Sequence, residues 1–136
     1  MKLPAVCQRS SLWFILFAIW LITLWFLSSR PLYAPPTPSI PFLDKVLHFG
    51  YFFGGAGLLS AALYLLKKKQ PAWDTLYLTV IIICTCTGAL DEWHQSWYEF
   101  RSGNDAGDLA ADFIGAITGT IVFRKMRGIF DTTSER

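Results

Sequence analysis

The chain has 136 residues, of which 53% are apolar and only 16% charged, against about 25% charge in a typical soluble domain. With a mean hydropathy of +0.38 and a formal net charge of +2, an ordinary soluble globule and a basic nucleic-acid binder are both excluded. The length fits one domain, 1–136, and the composition predicts an all-α membrane protein with no nucleic-acid partner.

The first apolar run, LWFILFAIWLITLWFL, covers Leu12 to Leu27 and holds no charge. With its serine flanks it predicts a span over 12–28, enough to cross a hydrocarbon core of about 30 Å. It is long for the apolar core of a signal peptide and lacks a small-residue cleavage site, so it is read as retained. Arg30 to Phe42 follows with five prolines, which predicts an extended linker over 31–41.

Three further runs predict spans over 46–66, 73–92 and 106–123. Lys67, Lys68 and Lys69 close the second, and Arg124 and Lys125 close the fourth. Segments this apolar must satisfy their backbone groups internally, so they are expected to form four helices in a compact bundle. Cys7, Cys84 and Cys86 are too scattered for a disulfide framework and are read as free thiols.

Charge sets the expected orientation. Lys2, Arg9, the lysine triplet, Arg124, Lys125, Arg127 and Arg136 fall on one side of the spans, and only Arg30, Lys45 and Arg101 on the other. The positive-inside rule then places both termini in the cytoplasm. Seven of the ten acids, Asp44, Asp91, Glu92, Glu99, Asp105, Asp108 and Asp112, gather at or near the outer ends of spans that are distant in sequence. Independent helix ends would not need that agreement.

Helical spacing sorts these residues into faces. Asp44, His48 and Tyr51 share one face of the second span, with Lys45 beside them. Asp91 and Gln95 share a face of the third if the helix runs past Leu90, and Glu92 is adjacent. Asp105, Asp108 and Asp112 share a face of the fourth; Arg101 joins it only if that helix starts early, against Gly103 and Asn104. Counting at about 1.5 Å per residue places His48 and Asp91 about 26 Å above the inner boundary, and Asp112 about 18 Å above Arg124. An ionisable group at the depth of Asp112 requires a partner or a wet cavity. Ala111, Gly115 and Gly119 form a small-residue stripe for helix packing, with Gly50, Gly54, Gly55 and Gly57 of the second span as the expected partner surface.

The series Asp44-Lys45-x-x-His48, Asp91-Glu92-x-x-Gln95, Arg101 and Asp108-x-x-Ala111-x-x-x-Gly115 resembles the VanZ-like family of small bacterial membrane proteins, related to a teicoplanin-resistance factor. The resemblance covers 44–123; the family often carries Asn where this chain has Asp112. It implies a multi-pass protein of the bacterial cytoplasmic membrane, tied to the cell envelope and to lowered glycopeptide sensitivity.

Three functional readings stay open on these residues. One is a binder or modulator of an envelope amphiphile or glycopeptide, through Asp44, Lys45, His48, Asp91, Glu92, Gln95, Arg101, Asp105, Asp108 and Asp112. Another is a membrane enzyme acting on a lipid-linked envelope precursor, with Asp44, His48, Asp91, Glu92 and Asp112 as catalytic candidates and a divalent metal as the cofactor such a set could hold. The third is a proton-coupled carrier using Asp112, which in four spans calls for a homo-oligomer. Membrane lipid is a partner in all three.

Overall fold

The computed structural model describes residues 4–31, 42–67, 69–101 and 103–131. A short 3-10 turn, Ala5–Gln8, precedes α1 (Ser10–Ser28), α2 (Leu43–Leu66), α3 (Trp73–Gln95) and α4 (Ala106–Met126), and a single turn, α5 (Gly128–Asp131), follows. Among the described residues all regular structure is helical. The four main helices are each long and apolar enough to cross a membrane, which makes the chain a multi-pass membrane protein. The proline-rich linker expected over 31–41 lies, beyond Pro31, outside the described residues.

Helix boundaries follow local chemistry. Phe42 takes a left-handed φ of 61° and turns the chain into α2. Asn104, a residue type that tolerates this region, does the same before α4 with φ 63°. Asp105 then caps α4 by accepting from the Gly107 N–H at 2.6 Å. α4 therefore starts at Ala106, and Arg101 stays off its face. α3 continues to Gln95, three residues beyond the expected end at 92, and so carries both acids within its last turns. Several hydroxyls inside the helices bond back to the carbonyl four residues earlier, as Thr23 does to Ile19 and Thr120 to Ala116 at 2.8 Å, while the Ser60 and Thr85 hydroxyls are buried with no hydrogen-bond partner among the described residues.

α2 is the central helix, buried through Phe52, Ala56, Leu59, Ala61, Ala62 and Tyr64. α4 lies against it through its small residues. A Cβ added at Gly115 would stand 2.5 Å from the Phe49 carbonyl oxygen, and one at Gly119 would overlap the Phe53 carbonyl. The seam on α2 is thus the backbone at Phe49 and Phe53, with Ala56 beside it. The expected glycine partner surface is not used there: among the described residues Gly50, Gly54 and Gly57 have nothing within 4 Å of an added Cβ, and Gly55 faces Trp20 of α1. The reason is geometric. α4's glycines need a flat backbone surface to approach, and α2 supplies it between its large side chains.

α1 joins α2 through two reciprocal hydrogen bonds. Trp20 Nε1 donates to the Tyr51 carbonyl at 3.1 Å, and Tyr51 Oη donates to the Trp20 carbonyl at 2.7 Å, with the rings stacked 5.0 Å apart. In lipid such contacts and close packing, not an apolar driving force, hold helices together. At the end of the helices remote from the acids, Tyr64, Trp73, Phe123 and Phe130 form an aromatic cluster, and the Arg124 guanidinium lies 4.9 Å from the Trp73 ring centre.

Candidate functional site

The C-terminal ends of α1 and α3 and the N-terminal ends of α2 and α4 meet in one polar cluster. Lys45 is the cation at its rim. Its Nζ donates to Asp44 at 3.0 Å, to Asp105 at 2.9 Å and to Asp108 at 3.0 Å, binding α2 to the start of α4. The Lys45 ammonium, and then the Gly107 N–H, hold the Asp105 carboxyl below the usual carboxylate range.

One helical turn deeper, His48 Nδ1 lies 2.9 Å from Asp112 Oδ1. Asp112 is 0% exposed, and its other oxygen packs against Gly88 of α3, where any Cβ would overlap it. Gly88 therefore makes room for a carboxylate in the middle of three helices. His48 Nε2 faces Asp108 Oδ2 at 4.0 Å. Oδ1 of the deep acid thus has a partner, while Oδ2 is buried with no hydrogen-bond partner among the described residues.

Glu92 of α3 is 4% exposed. Its Oε2 accepts from the Asp105 backbone N–H at 2.8 Å, and its carbonyl accepts from Asn104 N–H at 3.3 Å, folding the α3–α4 connection onto the end of α3. Gly103 fits under Ser96 in that connection, where a Cβ would overlap backbone. Asp91 faces the other way, toward α1: it accepts from Ser28 Oγ and from Gln95 Nε2, the latter at 2.8 Å.

A cavity of about 360 Å³ opens between these groups. Asp44, His48, Asp91, Gln95, Asp108 and Arg101 form its polar lining, and Leu24, Leu27, Leu47, Tyr51, Phe52 and Phe100 its apolar lining. Of the sequence candidates, Asp44, Lys45, His48, Asp105, Asp108, Asp112 and Glu92 form one connected group. Asp91 and Gln95 stand across the cavity from it. Among the described residues Arg101 makes no ion pair; its Nη2 donates to the Leu27 carbonyl at 2.5 Å, tying the loop after α3 to α1.

Two participants lay outside the sequence candidates. Ser28 brings α1 into the site, and its signal was the Ser28-Ser29 pair closing the first apolar run. His94 is 1% exposed and stacks on Trp25 with ring centres 3.7 Å apart, while its Nε2 lies 3.4 Å from both Ser29 Oγ and Tyr98 Oη. It links α1 to α3 just outside the acidic group. Trp93, Trp97 and Phe100 are exposed around it.

Comparison of the chain with family models, with curated proteins and with solved structures returns no match in any of the three.

Proposed function

We propose that this chain is a VanZ-like protein of the bacterial cytoplasmic membrane that binds an envelope amphiphile in the cavity between α1, α2 and α3, with the polar site on the extracytoplasmic side. The observation that carries the reading is the cavity's two-sided lining. Leu24, Leu27, Leu47 and Phe52 accept a hydrocarbon chain, while Asp91, Gln95, His48 and Arg101 offer hydrogen-bonding groups to a head. A lipid-linked envelope precursor and the lipid tail of a glycopeptide share that division into chain and head. Capture of either gives a physical route to lowered teicoplanin sensitivity, by sequestering the drug or by changing the supply of its target. The concentration of cations at the other end of the spans supports the orientation.

The test is photo-cross-linking of the purified full chain with a diazirine-bearing polyprenyl phosphate. Saturable labelling of Leu24, Leu27 and Leu47, competed by unlabelled lipid and reduced at least tenfold by Leu27→Trp, is expected. Labelling that does not saturate and falls equally on the exposed face of α1 at Ile15 and Ile19 would sink the reading.

A further inference from the structure

The polar end of the bundle holds more negative charge than its own cations answer. Asp44, Asp91, Glu92, Glu99, Asp105, Asp108 and Asp112 lie at this end of the helices against Arg30, Lys45 and Arg101. Lys45 is committed to Asp44, Asp105 and Asp108, and Arg101 to a backbone carbonyl. Asp91 and Glu92 also sit at the C-terminal end of α3, where the helix dipole adds partial negative charge.

Within this cluster three ligand atoms converge. A His48 ring nitrogen, a Glu92 carboxylate oxygen and an Asp108 carboxylate oxygen all lie within 4.8 Å of one another. The rest of each side chain is already held. Asp108 Oδ1 is on Lys45, which leaves Oδ2 toward His48 Nε2. Glu92 Oε2 is on the Asp105 N–H, while Oε1 is buried without a hydrogen-bond partner among the described residues. A buried carboxylate oxygen in that position costs free energy until something cationic or protic meets it.

The histidine supplies an independent pointer. Asp112 takes Nδ1, fixing the ring so that Nε2 is the nitrogen presented to Asp108. A buried carboxylate behind a histidine, with the far nitrogen facing other acids, is the arrangement that orients imidazole toward a metal. Two ligands bound tetrahedrally at about 2.0–2.2 Å to one ion stand about 3.3–3.6 Å apart. The 4.0 Å between His48 Nε2 and Asp108 Oδ2 is a few tenths of an ångström wider, a gap that a small side-chain adjustment closes around an ion.

We propose that His48, Glu92 and Asp108 bind one divalent transition-metal ion of the zinc class at the cavity wall, with Asp112 as the positioning residue behind His48. One imidazole and two carboxylates suit zinc or manganese better than magnesium or calcium, which take oxygen alone. The ion answers the excess charge and leaves coordination positions toward the cavity. There it would bridge the acidic protein surface to a phosphate-bearing head group. That role rests on the amphiphile reading; the existence of the ion site does not.

The full chain in detergent, stripped with a chelator and titrated with zinc chloride by calorimetry, tests the assignment. One zinc per chain is expected, with affinity at least tenfold weaker in Glu92→Gln and 10–100-fold weaker in Asp112→Asn. Zinc should raise the thermal midpoint of the wild type and leave that of Glu92→Gln unchanged. Absence of stoichiometric zinc and manganese binding by the wild type overturns the proposal, whatever the folding of the variants. Zinc binding that survives Glu92→Gln but disappears in Asp44→Asn would move the ion to the rim group of Asp44, Asp105 and Asp108, and overturns it too. Zinc bound as expected without capture of the polyprenyl phosphate probe supports the ion site and refutes the amphiphile reading alone.

Discussion

His48 and Asp112 are 64 residues apart in sequence and 2.9 Å apart in space. The pair lies a turn below the rim lysine, between α2 and α4, and Gly88 of α3 closes it from the third side. It joins the packing of three helices to the chemistry of the site.

That pairing should be measurable as a coupling. In the cycle His48→Ala, Asp112→Ala and the double variant, the interaction is expected at about 1.5–3 kcal/mol, the range for a hydrogen bond to a charged group. Reversible unfolding in mixed micelles provides the readout. Strict additivity of the two single variants would show that the contact contributes nothing to stability.

The α2–α4 seam distinguishes glycines of the same chain. Gly119→Ala places a methyl on the Phe53 carbonyl and is expected to destabilise by about 1–3 kcal/mol. Gly54→Ala meets nothing within 4 Å among the described residues and should stay within about 0.5 kcal/mol of wild type. Thermal midpoints of the two variants, measured side by side, decide the matter; equal loss in both contradicts the seam.

Tyr51→Phe removes one of the two bonds that hold α1 to α2 while keeping the ring stack. A loss of about 0.6 kcal/mol is expected, the typical worth of an interhelical hydrogen bond in a membrane protein. Trp20→Ala, which removes the ring as well, should release α1 first, seen as faster proteolysis near Ser29 than at any α2–α4 site. Uniform proteolysis across the chain would count against a separately attached α1.

Asp105 gives the site a pH dependence of known sign. Its carboxyl is held below the usual range by Lys45 and then by the Gly107 N–H. A carboxyl lowered in the folded state contributes stability above its unfolded value, near pH 4, and loses it as pH falls through the lowered folded value. The thermal midpoint should therefore drop on acidification below about pH 4, and Asp105→Asn should drop less over the same interval. An identical acid profile in the variant removes Asp105 from the account.

Sidedness is tested at the α3–α4 connection. Glu99→Cys, in a chain whose own three cysteines are replaced, is expected to react with a membrane-impermeant maleimide on intact cells. Labelling only after permeabilisation would place the polar end in the cytoplasm.

The four helices were legible because lipid imposes one rule on the whole segment: every backbone group must find its partner within the span. Uninterrupted runs such as Leu12 to Leu27 carry that rule on their face. Much of the candidate site's geometry was legible too, since Asp44 with His48, and Asp108 with Asp112, keep helical spacing, and the depths of His48 and Asp112 can be counted. What escaped the sequence was lateral. Which face of α2 receives Gly115 and Gly119 depends on side-chain size around the helix, so the glycine surface was expected where Phe49 and Phe53 stand. Ser28 and His94 escaped because a serine at a helix end and a histidine among tryptophans look like interface residues. Only the contacts Ser28–Asp91 and Trp25–His94 separate them from that background. Arg101 was expected among the polar groups of the site, and the loop geometry brings it to the cavity wall bonded to the Leu27 carbonyl.

An ammonium has three hydrogens to give, and Lys45 gives them to Asp44 on its own helix and to Asp105 and Asp108 at the head of α4. α2 and α4 are pinned there and seated on each other's backbone below. They form a fixed jaw. α1 is held to the polar end by lighter ties: the Ser28 hydroxyl, the Arg101 guanidinium and the stack of Trp25 on His94. If the cavity is to widen sideways into the bilayer, α1 is the part free to swing.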